Sequence, residues 1–365
     1  MKKQIFIAAA VVLGLSLSAC AANQTAASSV SGSQSGAKLS GTINAGGSSA
    51  QTAAQEAWRA GFQSANPDVT VNYDPTGSGT GRQNFTNGGY MLAGTDAAFS
   101  LTEAAGPFAA CAPGSALVEV PAYISPIAIG FTLPGVTSLN LDAATIAGIF
   151  AGTITTWNDP AIAGQNPGTT LPNTAITPVH RSDQSGTTEN FTDYLSKAAP
   201  AQWTWPANQT WPSQLAGEAA EKTQGVRQTI VSTQGAIGYL DASQATSMGT
   251  VAVKVGDTYT AYSAQAAAAA VGKSPLQAGR SSTDVVVSLN RTLTDHGVYP
   301  VVLVSYLAAC QKYADPSQAA LVKAYLLYVV SDPGQQAAAA NAGSAPISTD
   351  PELGPKALAA VSAIS

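Results

Sequence analysis

The residues best suited to bind a ligand lie between His180 and Phe191, in the sequence HRSDQSGTTENF. Arg181 carries a permanent charge, and it precedes a Ser185-Gly186-Thr187 turn that leads into a predicted helix from Glu189 to Lys197. Unpaired backbone N–H groups at a helix start, nearby hydroxyl groups and a guanidinium together suit a tetrahedral oxyanion. Asp183 lies between Arg181 and the turn, where it can hold the guanidinium in place.

A secreted phosphatase or serine hydrolase that uses Ser185 is the competing interpretation of this segment. Such an enzyme needs a base and an orienting acid near the serine. The G-x-S-x-G motif is absent, because Ser185 is preceded by Asp183-Gln184 and followed by Gly186-Thr187. His180 is the tempting base, but a structural histidine at a strand end is the stronger expectation. We therefore predict no catalytic residue.

Two earlier segments repeat the pattern of a small polar turn before a helix. Gly47-Ser48-Ser49 follows a predicted strand from Leu39 to Asn44, and Gly77-Ser78-Gly79-Thr80 follows another from Val69 to Tyr73. Asp96 comes at the end of a third, short strand. Three helix starts, together with an arginine and an aspartate at strand ends, predict that these groups converge on one anion.

The elements that position these residues alternate between strand and helix. This alternation predicts an α/β fold with a mainly parallel sheet, helices on both faces and a ligand site beyond the carboxyl ends of the strands. The apolar stretch from Leu117 to Leu133 is predicted to be a strand interrupted by prolines, and Pro300–Val304 a second β-branched strand. The last clear helix is predicted at Gln318–Ser331. Residues 241–283 give little indication of structure.

The N-terminus is predicted to be an export signal rather than part of the fold. Two lysines precede an apolar stretch, Ile5–Leu17, that is short for a membrane span. Leu17-Ser18-Ala19-Cys20 resembles a lipoprotein signal box, which implies that residues 1–19 are removed and that Cys20 receives lipid, palmitate included. Ordinary secretion with an incidental Cys20 is the alternative. Residues 20–37 are predicted to be a flexible tether.

The composition restricts the partners. Charged residues make up 10% of the chain, against about 25% in typical domains. The formal net charge is −5, and loss of the lysines at 2 and 3 with the signal would make it more negative. An acidic protein is not expected to bind nucleic acid. Any bound anion must therefore be held by local dipoles and one or two fixed charges.

The cysteines and histidines indicate a disulfide and no metal. If Cys20 is lipidated, Cys111 and Cys310 remain as a pair in an oxidising compartment, where a disulfide is expected. Two buried thiols are the alternative. The chain has two histidines, His180 and His296, and no Cys/His spacing matches a zinc motif. We expect no metal and no cofactor.

The sequence resembles the phosphate-binding lipoproteins of bacterial phosphate ABC transporters over nearly the whole folded region. The resemblance is carried by five long segments: GSGTGRQNF (77–85), GTDAAFS (94–100), IFAGTITTWNDPAI (149–162), ITPVHRSDQSGTTENFTDYL (176–195) and QGAIGYL (234–240). It implies a two-lobed periplasmic-binding-protein fold of type II, with two chain crossings. Lobe I would comprise residues 38–126 and 306–365, and lobe II residues 127–305. Hinges are expected near Ile127–Phe131 and Pro300–Tyr306.

The resemblance also implies a ligand set and a function. The phosphate-binding residues carried over by motif are Ser48, Ser49, Ser78, Asp96, Arg181, Ser185, Gly186 and Thr187. The first loop departs from the family, which usually has Thr and an aromatic residue in place of Ser48-Ser49. The implied protein is a monomeric binding unit anchored by lipid to the outer face of the cell membrane. It would capture inorganic phosphate and deliver it to the permease subunits of an ABC transporter.

Asp96 adds a selectivity argument that comes from chemistry. A carboxylate repels an oxyanion, but it can accept a hydrogen bond from an oxyanion that carries a proton. Phosphate near neutral pH has at least one O–H, whereas sulfate is fully ionised. We predict that Asp96 selects for the proton and that Arg181 supplies the charge. Another oxyanion, such as molybdate or a phosphonate, is the remaining alternative for the ligand.

Two features stay open at this point. Arg82 is as compatible with an ordinary solvated or salt-bridged side chain as with a phosphate contact. Trp203, Trp205 and Trp211 could form a sugar-binding platform, but packing of a loop onto a domain is the stronger expectation.

Overall fold

The computed structural model describes residues 38–365, in which strands and helices alternate as predicted. The predicted signal peptide, the lipidation site Cys20 and the predicted tether lie outside the described residues. The first elements are β1 (Gly41–Gly47), α1 (Thr52–Ala65), β2 (Val69–Asp74), α2 (Ser78–Thr86), β3 (Leu92–Thr95) and α3 (Leu101–Ala104). β1 pairs in parallel with both β2 and β3.

The middle of the chain contains more regular structure than the sequence indicated. Its elements are β4 (Leu117–Phe131), β5 (Ser138–Leu141), α4 (Ala143–Phe150), α5 (Pro160–Ala163), β6 (Thr177–Arg181), α6 (Gly186–Ala198), β7 (Glu218–Ala220), α7 (Lys222–Ser232), β8 (Ala236–Asp241), β9 (Gly249–Val255), β10 (Thr258–Thr260) and α8 (Ala264–Val271). The last three fall in residues 241–283. Alanines fill α8, and they give only a weak helical periodicity in the sequence.

The C-terminal part returns to the first strands. Its elements are β11 (Val302–Cys310), α9 (Pro316–Val330), α10 (Asp332–Ala342) and α11 (Leu353–Ser362). Among the described helices, none is long and apolar enough to span a membrane. The predicted disulfide between Cys111 and Cys310 is confirmed: it joins the segment before β4 to the end of β11, with a Cα–Cα distance of 5.4 Å.

β4 continues for 15 residues, all buried, through Pro121 and Pro126. The prediction of a strand broken at these prolines was therefore wrong. Proline is tolerated in a strand where a bulge interrupts the ladder. The register between β4 and β11 shifts between Ser305 and Tyr306, and Tyr306 pairs with Pro121 at that irregularity. Pro126 lies where β4 changes partners.

The sheet is mixed, which corrects the prediction of mainly parallel pairing. The strand order is β2-β1-β3-β11-β4-β8-β6-β7, and β9 pairs with β4, β5 and β10. β11 lies between β3 and β4 and runs antiparallel to both, and β4 also runs antiparallel to β8 and β9. The physical reason is that β11 returns from the middle of the chain and inserts between two strands that already run in one direction.

β4 joins two groups of strands within the compact unit formed by residues 39–365. Residues 117–126 of β4 pair with β11, whereas residues 127–131 pair with β8. The carboxyl ends of β1 and β3 lie on one side of this change of partner, and the carboxyl end of β6 belongs to the other group. The predicted site residues follow these strand ends.

Candidate functional site

Asp96, which directly follows β3, is the centre of the buried polar cluster. Its carboxylate accepts hydrogen bonds from three hydroxyl groups. Ser48 and Thr187 donate to Oδ2 at 2.7 and 3.2 Å, and Ser305 donates to Oδ1 at 2.5 Å. Asp96 is 3% exposed. The cluster therefore brings together residues that follow β1 and β3 with residues of α6 and β11.

The close approach of β1 and β3 requires glycine. Gly47 has a φ of 137°, and a Cβ at this position would lie 2.0 Å from the carbonyl oxygen of Gly94. The backbone N–H of Ser48 donates to that carbonyl at 2.8 Å. This contact places the hydroxyl of Ser48 beside Asp96, because both residues leave their strands at the same level.

The second small polar turn contains the start of α2, which begins at Ser78. The buried hydroxyl of Ser78 accepts a hydrogen bond from the backbone N–H of Asp96 at 3.2 Å. Gly77 has a φ of 97°, and a Cβ there would lie 2.6 Å from Oδ2 of Asp183. The turn therefore contacts both Asp96 and the loop that follows Arg181.

The start of α6 forms the opposite side of the cluster. Ser185 is the N-cap, and its hydroxyl accepts from the backbone N–H of Thr188 at 3.2 Å. A Cβ on Gly186 would lie 2.5 Å from the backbone nitrogen of Ala97. Only glycine allows the helix start to come this close to the backbone after Asp96. The positive end of the α6 dipole is thereby directed at the cluster.

Arg181 ends β6 and forms a two-point ion pair with Asp183. Nε donates to Oδ1 at 2.7 Å, and Nη2 donates to Oδ2. The backbone N–H of Lys222 also donates to Asp183, at 3.0 Å. Burial by itself raises the pKa of Asp183, but the hydrogen bond and charge of Arg181 outweigh it and hold that pKa below its usual range. Asp183 thus orients the guanidinium, as expected.

The electrostatics of Asp96 differ from those of Asp183. Burial raises the pKa of Asp96 above its usual value. The hydrogen bonds from Ser305 and Ser48, the charge of Arg181 and the hydrogen bond from Thr187 oppose this rise in pKa. The carboxylate is therefore stabilised mainly by neutral donors, and its negative charge is not neutralised by a bonded cation.

Three kinds of comparison with known proteins bear on this arrangement: a family model, similar sequences and solved structures. A model described as the PBP superfamily domain matches residues 32–333. Phosphate-binding protein PstS2 of Mycobacterium bovis BCG is 32% identical over 329 residues, which cover 88% of each chain. Phosphate-binding protein PstS 3 of Mycobacterium leprae is 34% identical over 327 residues, 86% of each. The chain belongs to the PstS family of phosphate-binding proteins. The family predicted from the sequence is confirmed.

Solved structures agree with the α/β periplasmic phosphate-binding-protein fold. A high-affinity periplasmic phosphate-binding protein bound with phosphate (PfluDING) superposes with a TM-score of 0.68, at 24% identity, over 84% of this chain and 90% of that one. A phosphate-binding protein from Stenotrophomonas maltophilia gives a TM-score of 0.64, at 20% identity, over 88% and 94%. PstS proteins bind phosphate for transport, and they are not enzymes.

The serine hydrolase interpretation of this PstS-family chain fails on geometry as well. The ring of His180 stacks on Trp211 with centroids 5.0 Å apart, and its Nδ1 contacts the carbonyl oxygen of Arg181. Burial lowers the pKa of His180. The hydroxyl of Ser185 is used to cap α6. His180 is therefore a structural residue, as expected.

The two features left open by the sequence lie outside the polar cluster. Arg82 donates to the carbonyl of Ala98 and to Glu103, both at 3.2 Å. Trp203 and Trp211 are buried and pack against each other, and Trp211 also packs against Phe150. The tryptophans therefore secure a loop to the core.

Three residues of the cluster were missed by sequence reasoning. Asn190 of α6 donates to the backbone carbonyl of Asp96 at 2.7 Å, and Arg291 donates to Oδ1 of Asn190 at 2.6 Å. Ser305 donates to Asp96 itself. Asn190 lies inside the recognised motif, so a search along the polar side of α6 could have found it. Arg291 and Ser305 lie in segments without a motif.

Ser49 differs from the rest of the predicted set. Its hydroxyl lies 3.0 Å from that of Thr223 in α7, and it accepts from the backbone N–H of Thr223 at 3.1 Å. The side chain therefore bridges two loops instead of joining the Asp96 cluster. The remaining predicted side chains, those of Ser48, Ser78, Arg181, Ser185 and Thr187, are all buried around the start of α2 and α6.

Proposed function

We propose that this protein captures inorganic phosphate outside the cytoplasm and delivers it to the permease subunits of an ABC transporter. The observation that carries the proposal is a buried carboxylate, Asp96, surrounded by hydroxyl donors and flanked by helix starts. Its PstS relatives are named as phosphate-binding proteins. A related solved protein is described as a phosphate ABC transporter substrate-binding protein with bound phosphate.

Phosphate binds between two sets of groups. One set is Ser48, Ser78, Asp96 and the backbone N–H of Ser49. The other set is the guanidinium of Arg181 with Ser185, Gly186 and Thr187 at the start of α6. Backbone N–H groups at the helix starts donate to the anion oxygens, together with the hydroxyls of Ser78 and Ser185, whose hydrogens are not used in bonds to Asp96. Because Asp183 fixes two nitrogens of Arg181, the remaining donors of the guanidinium face the anion.

Asp96 gives the site its preference for a protonated oxyanion. A carboxylate offers about four lone-pair positions, and three of them accept the hydroxyls of Ser48, Thr187 and Ser305. The remaining position can accept an O–H of phosphate. Sulfate would bring an oxygen lone pair against it, so its binding is disfavoured.

The site closes by movement of two lobes, residues 38–126 with 306–365 and residues 127–305. The change of pairing partner at residues 126–127 of β4 supports a hinge there. Bonds between the two lobes would hold the closed form: Thr187 to Asp96, Ser49 to Thr223, and Gly79 N–H to the backbone carbonyl of Gln184. The second hinge lies near Pro300–Tyr306, where β11 begins.

The protein is extracytoplasmic, and lipid on Cys20 anchors it to the cell membrane as a monomeric binding unit. The basic start, the apolar stretch and the Leu-Ser-Ala-Cys sequence support this assignment. Incorporation of labelled palmitate in cells checks it. We expect label in the wild-type protein and none in a Cys20→Ser variant, whereas equal labelling would remove Cys20 as the site.

The ligand is tested by calorimetric titration of the mature chain with Cys20→Ser, stripped of bound anion by unfolding and refolding. We expect stoichiometric, tight binding of phosphate and of arsenate, which shares its protonation, and weak binding of sulfate. A preference for molybdate or a phosphonate over phosphate would contradict the assignment, and so would the absence of phosphate binding. Turnover of a chromogenic phosphate ester would favour the enzyme instead.

A further inference from the structure

A buried amide, Gln51, lies behind Asp96. Its Nε2 donates to the backbone carbonyl of Tyr306 at 2.9 Å and to the hydroxyl of Ser305 at 2.7 Å. A backbone carbonyl can only accept hydrogen bonds, so the atom that contacts it must be the NH₂ group of the amide. The orientation of Gln51 is therefore fixed by its surroundings, and Ser305 must accept from it.

The direction of the next hydrogen bond follows from this contact. A serine hydroxyl has one hydrogen. Because the oxygen of Ser305 accepts from Gln51, its own hydrogen is directed to Oδ1 of Asp96, 2.5 Å away. Ser48 behaves in the same way: its oxygen accepts from the backbone N–H of Ala50 at 3.1 Å, and its hydrogen goes to Oδ2 of Asp96.

Asp96 is therefore required to accept on both of its oxygens. An N–H donor stands behind each of these two hydroxyls, and neither hydroxyl can turn to accept a hydrogen bond from Asp96 without leaving its own O–H unpaired in the interior. The ionised form of the carboxyl is favoured by donors of this kind. The lone-pair position of Asp96 that remains for a ligand can therefore also only accept a hydrogen bond.

We propose that Gln51 and Ser305 are positioning residues that determine specificity, because they hold Asp96 as a hydrogen-bond acceptor and so restrict the site to oxyanions that carry a proton. This proposal rests on the proposed function as a phosphate-binding protein, and it goes further in locating the origin of selectivity behind the ligand-binding residues. Neither residue needs to touch the anion.

Gln55, one helical turn after Gln51, provides a matched control. Its Nε2 donates to Oε1 of Gln51 at 2.8 Å, and its Oε1 accepts from the hydroxyl of Tyr325 at 2.8 Å. Gln55 is as deeply buried as Gln51. Because the carbonyl of Tyr306 orients Gln51 without help from Gln55, loss of the Gln55 amide leaves the hydroxyl of Ser305 directed at Asp96.

The test compares Ser305→Ala, Ser305→Thr, Gln51→Met and Gln55→Met with the wild type by titration with phosphate and sulfate, on protein shown to be folded by its thermal transition. Loss of a donor lets Asp96 take up a proton and donate to sulfate. We expect the ratio of phosphate to sulfate affinity to fall about tenfold in Ser305→Ala, because a tenfold change in affinity corresponds to the loss of one buried hydrogen bond. It should fall in Gln51→Met as well. Gln55→Met should keep the wild-type ratio. Ser305→Thr should keep it as well, because threonine retains the hydroxyl.

The outcomes separate this proposal from the proposed function. If the wild type binds phosphate tightly and the ratios of Ser305→Ala and Gln51→Met equal that of the wild type, the positioning role is wrong. An equal fall of the ratio in Gln55→Met would also overturn it, because general loosening of α1 would then explain the effect. If the wild type itself fails to bind phosphate, the proposed function is wrong. Ser305→Thr and Gln51→Met keep the test decisive if Ser305→Ala does not fold.

Discussion

Asp96 and Glu119 are two buried carboxylates whose surroundings contrast. Asp96 accepts three hydroxyl groups, and its bonded partners are neutral. Glu119 is fully buried, accepts the backbone N–H of Phe99 at 3.1 and 3.2 Å and lies 3.3 Å from the guanidinium of Arg280. The same guanidinium binds Asp284 at 2.9 Å. Glu119 thus belongs to an ion cluster, whereas Asp96 is a carboxylate that accepts hydrogen bonds from neutral hydroxyl groups.

The difference bears on the binding role proposed for Asp96 and the structural role of Glu119. Burial and the neighbouring charge of Asp284 raise the pKa of Glu119 well above its usual value, whereas Arg280 opposes the rise. Arg280 already pairs with both Glu119 and Asp284, so this cluster does not need a ligand to balance its charge. Around Asp96 the cation, Arg181, is bonded to Asp183 instead. In the proposed function, the acceptor position that remains on Asp96 receives the O–H of a proton-bearing anion.

Removal of Arg280 should give the largest effect, and the effect should be on stability. Arg280→Met leaves Glu119 and Asp284 without their cation, and breaking a buried ion pair costs about 3–5 kcal/mol. Chemical denaturation measures the unfolding free energy. Arg82→Met is the control, because the partly exposed Arg82–Glu103 pair should contribute no more than about 1 kcal/mol. A large loss of phosphate affinity in folded Arg280→Met would break the distinction.

The same substitution at Arg181 should act on binding instead. Arg181→Met removes the charge that faces the anion, and phosphate affinity should fall about 100- to 1000-fold, or 3–4 kcal/mol. Stability should change less than in Arg280→Met, because the carboxylate of Asp183 is partly exposed and can be hydrated. Titration and denaturation of the two variants side by side check this. An unchanged phosphate titration would remove Arg181 from the site.

Asp241 is a third buried carboxylate, and we expect it to make the free energy of unfolding depend on pH. Burial raises its pKa to about 6, against the hydrogen bonds from Ser243 and Tyr123. Because the folded protein holds this proton more tightly than the unfolded chain, the contribution of Asp241 to stability is highest below the unfolded pKa of about 4 and is lost as pH rises to about 6. The fall should be about 3 kcal/mol. Asp241→Asn should remove that part of the slope in denaturation series, and an unchanged slope would contradict the assignment.

The smallest effect should come from Asp96→Asn, on selectivity. The amide of asparagine can donate a hydrogen bond as well as accept one, so it can also bind the unprotonated sulfate. The ratio of phosphate to sulfate affinity should therefore fall by about tenfold or more, equal to at least 1.4 kcal/mol. Competition titration with the two anions measures the ratio. A ratio equal to that of the wild type would show that Asp96 is only a structural carboxylate, like Glu119.

Local features of the site could be predicted from the sequence because short-range chemistry creates them. Arg181 and Asp183 are two residues apart, and the small polar turns precede helices whose first N–H groups are necessarily unpaired. The alternation of strands and helices gave the α/β class. The predicted ligand set came from long motifs, which also contain the glycines that permit close backbone contacts at Gly77 and Gly186.

Contacts that join distant segments could not be predicted in this way. Ser305 reaches Asp96 across 209 positions, and Gln51 reaches Ser305 across 254. No spacing or periodicity records such pairs. They depend on β11 inserting between β3 and β4, and on the bulge that accommodates Pro121 at Tyr306.

By itself, the sequence determined the class of fold, the family and the groups that can hold an oxyanion, because these follow from local pattern and motif. Only the tertiary structure decided what surrounds Asp96. The direction of a hydrogen bond from a hydroxyl depends on which donor stands behind that hydroxyl, and here the donors are the amide of Gln51 and the backbone N–H of Ala50, just before α1. The charge of Arg181 was visible in the chain, whereas the basis proposed for selectivity appears only once the strands are in register.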